Sequence, residues 1–191
     1  MEGYHGKQFI TRKELYHDGF SAYKLRKLVD GGNLLRVNRN YFENPDHISV
    51  GNEFNLVHLY TSKGVICLIS AAIYHKLTTS RPFQIDVALP RRTRIPKTPD
   101  WPAFQFYLFS EERYQTGIET VQNEEDSFMI YDAEKTVCDV MFYRNKLGFE
   151  PAIEILKNYL RRNGRDINKL MRYAEKLRCG KLLREYLEVM V

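Results

Sequence analysis

The 191-residue chain has no long apolar run, no Gly-Ser pair and no glycine loop of the kind that cradles phosphates. The first absence argues against a membrane span, because "GVICLISAAIYHKL" is apolar but too short to cross a bilayer and reads as a buried helix. "MEGYHGKQFI" lacks the apolar core of a secretory signal, so a cytoplasmic protein is expected. Cysteine is scarce: Cys67, Cys138 and Cys179 are scattered and odd in number. They predict free buried thiols in a reducing compartment rather than a disulfide framework or a metal site. His5, His17, His47, His58 and His75 show no metal-ligand spacing. No metal and no cofactor are expected, and His75 reads as a packed, hydrogen-bonded histidine.

What remains is an ordinary globular mixture, 43% hydrophobic and 28% charged, with room for one or two small domains. A formal net charge of +5 favours a polyanionic partner. Several basic residues lie in "TRKELYHDGFSAYKLRKLVDGGNLLRVNRNYFE", which begins at Thr11. Thr11 and Glu14 form a capping-box pattern for a short helix from Arg12 to about Asp18. Gly19 permits a sharp turn. Ser21 then caps a second helix, in which Leu25, Leu28 and Val29 share one face and Gly31-Gly32 end it. Leu34–Val37 and Tyr41–Glu43 are short strands around Asn38-Arg39-Asn40, where asparagine's tolerance of positive φ predicts a hairpin.

Helix, turn, helix and hairpin make a winged helix, whose second helix enters the DNA major groove by its N-terminal part. Ser21, Tyr23, Lys24 and Lys27 lie off the apolar face, with Arg26 nearer its edge. Arg36 and Arg39 sit on the wing. These seven residues are the candidate contacts with double-stranded DNA, through phosphates and base edges. "ENPDHISVGNEF" reads as a linker, which gives a winged helix-turn-helix over residues 1–50 and a second domain over 54–191.

The second domain is expected to be a mixed α/β unit ending in a helical bundle, so the whole chain is α+β. Phe54–Tyr60 and Gly64–Leu77 are predicted helices. "PFQIDVALP", "AFQFYLFS", "GIETVQ" and "SFMIYD" are predicted strands, the last two around the acidic turn "NEEDS". Asp132 is placed to cap a helix over "AEKTVCDVMFYRNKLG", with Val137, Val140 and Met141 facing inward. Helices at Pro151–Arg161, Ile167–Leu177 and Lys181–Met190 follow, Pro151 suiting a first turn. The loop "RRTRIPKTP" gathers Arg91, Arg92, Arg94 and Lys97, with Arg81 nearby in sequence, as a candidate second phosphate-binding surface. Arg161, Arg162, Arg165, Lys169 and Arg172 lie on an amphipathic helical pair that is a candidate nucleic-acid or partner surface.

Asp86 invites two enzyme readings, and both are incomplete. A nucleotidyltransferase needs a Gly-Ser turn and paired carboxylates for Mg²⁺, but Ala88 stands two residues on. A restriction-type nuclease needs a lysine where "FQFYLF" offers Gln105 followed by Tyr107. Asp86 therefore reads as a polar residue on a half-exposed strand, and no catalytic residue is assigned. A nuclease-like or nucleotide-handling enzyme with a DNA-binding head remains the alternative to a DNA-binding regulator.

Several motifs together resemble the AbiEi antitoxins of type IV (AbiE) toxin–antitoxin systems. They are "ITRKEL…GFSAYKLRKLVDGGNLLRVNRNYFE", "GVICLISAAIYHKLTT", "VALPRRTR" and "MIYDAEKTVCDVMFYRNKLGFEPAIEIL", in the family's order along nearly the whole chain. The last is the most specific, through Tyr131-Asp132, Lys135-Thr136, Asp139, Arg144-Asn145-Lys146 and Gly148. One departure is Asp132-Ala133-Glu134, where the family often has serine and proline. The resemblance implies a bacterial repressor that binds inverted repeats in its own promoter. It also implies functional pairing with a co-encoded nucleotidyltransferase-like toxin, while the type IV label implies no stable direct complex.

Overall fold

Two local signals near the amino end fix where the first helices begin. In the computed structural model, which describes residues 7–47, 53–80, 82–98, 102–122 and 127–190, the Thr11 hydroxyl accepts from the Glu14 amide at 3.1 Å. Glu14 in turn accepts from the Thr11 amide at 2.8 Å, which completes the capping box. This starts α1 (Arg12–His17), and Ser21 starts α2 (Ala22–Asp30) by accepting from the Lys24 amide. Gly19 makes the turn between them at φ +82°. Of the two glycines after α2, Gly31 stays right-handed and Gly32 takes the left-handed conformation at φ +75°.

A strand absent from the sequence reading, β1 (Phe9–Thr11), pairs antiparallel with β3 (Tyr41–Glu43). β3 also pairs with β2 (Leu35–Arg36), so the small sheet runs β1-β3-β2. The hairpin closes differently from expectation. No described asparagine takes positive φ; instead the Asn38 side chain accepts from the amides of Asn40 and Tyr41 at 2.8 and 3.0 Å. Ile10, Leu15, Leu25, Leu34 and Phe42 form the core of these elements.

The described residues cluster into two compact units, the first ending at Asn55 and the second beginning at Leu56. Residues 48–52, within the expected linker, lie outside the described residues, as do Arg81 and residues 123–126 of the expected acidic turn. After α3 (Asn55–Tyr60), the expected helix from Gly64 splits. Val65–Ile66 forms a strand, β4, and only Leu68–Tyr74 is helical (α4). A short apolar run suits a buried strand as well as a buried helix, and here both occur in succession. The five-stranded sheet has the order β6-β5-β4-β8-β7, from β5 (Gln84–Pro90), β6 (Ala103–Phe109), β7 (Ile118–Gln122) and β8 (Ser127–Tyr131). β4 is parallel to β8 and antiparallel to β5; β5 and β6 are parallel; β7 and β8 are antiparallel.

A short helix that the sequence reading did not anticipate, α5 (Glu111–Gln115), links β6 to β7. Asp132 caps α6 (Ala133–Phe142) by accepting from the Lys135 amide at 2.7 Å. The expected single helix to Gly148 breaks at Tyr143, and α7 (Arg144–Leu147) follows. α8 (Phe149–Arg161), α9 (Ile167–Lys176) and α10 (Gly180–Met190) complete the unit. The fold is mixed α+β, with ten helices and two sheets among the described residues. No described helix is long and apolar enough to cross a membrane.

Candidate nucleic-acid interface

α2 buries Leu25 and half-buries Leu28 and Val29 against the core of the first unit. With 3.6 residues per turn, that choice turns Ser21, Tyr23, Lys24, Arg26 and Lys27 outward, and all five are exposed. Tyr23 keeps 67% of its surface accessible, and Lys27 Nζ lies 5.1 Å from the centre of its ring. The two thus form one cationic, aromatic patch beside the start of the helix, where backbone N–H groups also point outward. Arg26 is partly committed, with Nε 3.8 Å from Asp30 one turn on. On the hairpin, Arg36 and Arg39 are both exposed. Arg36 donates from Nε to the Asn38 carbonyl at 3.3 Å, so it steadies the turn as well as supplying charge.

Arg12 is a residue that the sequence reading used only as a helix start. Its guanidinium lies 5.6 Å from the Phe42 ring centre, and its buried Nε has no hydrogen-bond partner among the described residues. With Arg26 and Arg36 it lines a groove of about 340 Å³. The groove's apolar lining includes Leu25, Val29 and Phe42. No short-range signal in the sequence marks Arg12, because its contact with Phe42 joins residues distant along the chain. Glu14 stays ionised at neutral pH, and Lys7 Nζ at 2.7 Å offsets its charge. Hydrogen bonds from Lys7 and Thr11 hold its carboxyl down to about 2.

The other candidate cations belong to the second unit. Arg91, Arg92, Arg94 and Lys97 are all exposed, on a loop held at its root by the Arg91 amide donating to the Phe109 carbonyl at 2.8 Å. Arg161, Arg162, Arg165 and Arg172 are exposed as well. Lys169 is different. It is half-buried and bridges Asp132 and Glu134 at 3.1 and 3.0 Å. Burial works against its charge, but the hydrogen bonds to Glu134 and Asp132 outweigh it and raise its pKa. Lys169 therefore ties α9 to the start of α6 and is withdrawn from the basic surface.

Asp86 is corrected too. It is 2% exposed on a strand buried along its middle, so the expectation of a half-exposed strand fails. Its Oδ2 accepts from the Ile69 amide at 3.1 Å, and its own amide donates to Ser70 Oγ at 2.8 Å. The carboxylate thus caps the first turn of α4 from the neighbouring strand, a place that Cys67 leaves without a side-chain cap. Burial raises its pKa to about 6 against the opposing hydrogen bonds from Ile69, Ser70 and Tyr107. His75 Nε2 lies 2.7 Å from the Tyr131 carbonyl, in keeping with a packed, hydrogen-bonded histidine.

Each carboxylate of α6 has its own partners, Glu134 engaging Lys169 and Tyr159. Asp139 is fully buried and pairs with both Arg113 and Lys135, while Arg113 also donates to the Leu177 carbonyl at 2.7 Å. Burial lowers the pKa of Lys135 despite Asp139 beside it. The ammonium also lies 3.9 Å from the centre of the Tyr131 ring. Among the described residues, no three His, Cys, Asp or Glu side chains are grouped to hold a metal ion. Compared with known proteins, the chain matches no family model and no curated sequence.

Proposed function

We propose that the first unit is a winged helix that binds double-stranded DNA through α2 and the β2–β3 hairpin, and that the chain is an autorepressor and antitoxin of the AbiEi kind. The observation that carries this reading is the division of α2. Its apolar face is buried, and Ser21, Tyr23, Lys24 and Lys27 are exposed beside its capped N-terminus. A helix presented in this way suits the major groove, and Arg36 and Arg39 on the hairpin suit the flanking backbone. The exposed loop cations Arg91, Arg92, Arg94 and Lys97 belong to the same reading as a second phosphate-binding surface. The operator is expected to be an inverted repeat in the chain's own promoter, in a cytoplasmic protein. The antitoxin role, against a co-encoded nucleotidyltransferase-like toxin, rests on the sequence resemblance and is assigned to the second unit.

Binding to the DNA upstream of its own reading frame, measured by fluorescence anisotropy over a range of salt, tests the DNA half of the proposal. Lys24→Ala, Lys27→Ala and Arg39→Ala should each lower the salt slope by about one, because each removes one phosphate contact. A slope unchanged in all three variants overturns the assignment of this face.

A further inference from the structure

The outer face of α8 carries a feature that DNA binding does not use. Ala152, Ile155, Leu156 and Tyr159 point into the core. A flanking stripe, at steps of four residues, is Phe149, Ile153, Lys157 and Arg161, with Ile153 half-buried against the core and Lys157 and Arg161 exposed. It runs about 18 Å along the helix. Where it meets α9 and α10 it opens into a groove of about 710 Å³, whose apolar lining is Leu160, Ile167, Leu187 and Val189. Lys157, Arg161 and Arg165 rim this groove, and among the described residues no side-chain carboxylate lines it. Towards the start of α8 it adjoins a second hollow of about 460 Å³ that shares Lys157 and Arg161 and is also lined by Phe149, Glu150 and Glu154. Val189 is 84% exposed and Phe149 52%.

We infer that this groove docks an acidic amphipathic helix of a partner protein. In the 710 Å³ groove three cations meet no side-chain carboxylate among the described residues, which calls for anionic side chains on the occupant. Among the described residues, neither Lys157 nor Arg161 has an ion-pair partner. The apolar floor between them calls for aliphatic or aromatic anchors, which a nucleic-acid backbone does not supply. A helix offers both, with anchors at i, i+3, i+4 and i+7 along the floor and Asp or Glu along the rim. The proposal stands apart from the DNA-binding reading, since it rests only on the second unit.

A phage-displayed library of peptides about four helical turns long, selected on the full chain, tests it. Selected peptides should share apolar anchors at helical spacing flanked by acidic residues. A labelled peptide of this kind should bind the Arg161→Glu/Arg165→Glu variant about tenfold more weakly. Replacing the peptide's acidic residues with lysine should abolish binding to the natural chain and restore it to the variant. The inference is overturned if the selected peptides lack that pattern, or if charge reversal leaves their affinity unchanged. It is equally overturned if an oligonucleotide displaces them at matched concentration, which would make the groove a nucleic-acid surface. Concentration-dependent dimerisation that the variant abolishes would make the occupant a second copy of this chain, and would also overturn it.

Discussion

Asp86 shows how a single residue can be misread from its neighbours and then explained by them. In "QIDVAL" it looks like one polar position in an alternating strand, but both faces of β5 are covered, and the carboxylate reaches across to cap α4. Its folded pKa of about 6 stands above the ordinary 3.8, so the sign of its effect on stability is fixed. Below about pH 4 the group is neutral in the folded and the unfolded chain alike. Between about pH 4 and 6 it ionises only in the unfolded chain, so stability falls across that window. Above pH 6 the loss is complete, at about 3 kcal/mol. Urea unfolding of the second unit should show this decline, and Asp86→Asn should remove it. A carboxyl-carbon NMR titration of Asp86 with its midpoint near 4 would sink the account.

At the scale of elements, α6 is the piece around which the second unit is organised, and it tolerates little change beside it. Gly117 follows α5 at φ +75°, and a Cβ there would stand 2.7 Å from Lys135 Cβ. Gly117→Ala should therefore destabilise by at least about 2 kcal/mol, through left-handed strain and the clash with a buried, ion-paired side chain. Thermal melting that leaves this variant within error of the natural chain would show that the turn relaxes freely. Short-range signals made much of this layer legible: Thr11 with Glu14, Ser21 and Asp132 each cap the helix they were expected to cap. Elements held by partners distant in sequence were not legible. β1 is three residues long and exists through its pairing with β3, and the strand–helix split at Val65–Tyr74 depends on β5 and β8 flanking β4. For the same reason the exposed candidates on α2 could be read from helical period, whereas Arg12 over Phe42 and the diversion of Lys169 into an ion-pair bridge could not.

For the whole molecule, the two compact units have separate cores, one around Leu15, Leu34 and Phe42 and the other around Leu68, Val137, Met141 and Tyr159. A chain lacking residues 1–48 should therefore keep a cooperative thermal transition by circular dichroism while losing operator binding. A broad, non-cooperative melt would show that the second core cannot stand alone. The three free thiols lend such experiments an unplanned instrument. All of the chain's cysteines lie in the second unit, and Cys67, Cys138 and Cys179 are each at most 3% exposed. An alkylating reagent reaches them only through moments of opening, so the rate of modification is a clock for breathing of that unit alone. Motions confined to the first unit are silent on it. A ligand that slows the clock must act on the second unit's own equilibrium, and one that binds the first unit without slowing it reveals how far the two halves keep separate time.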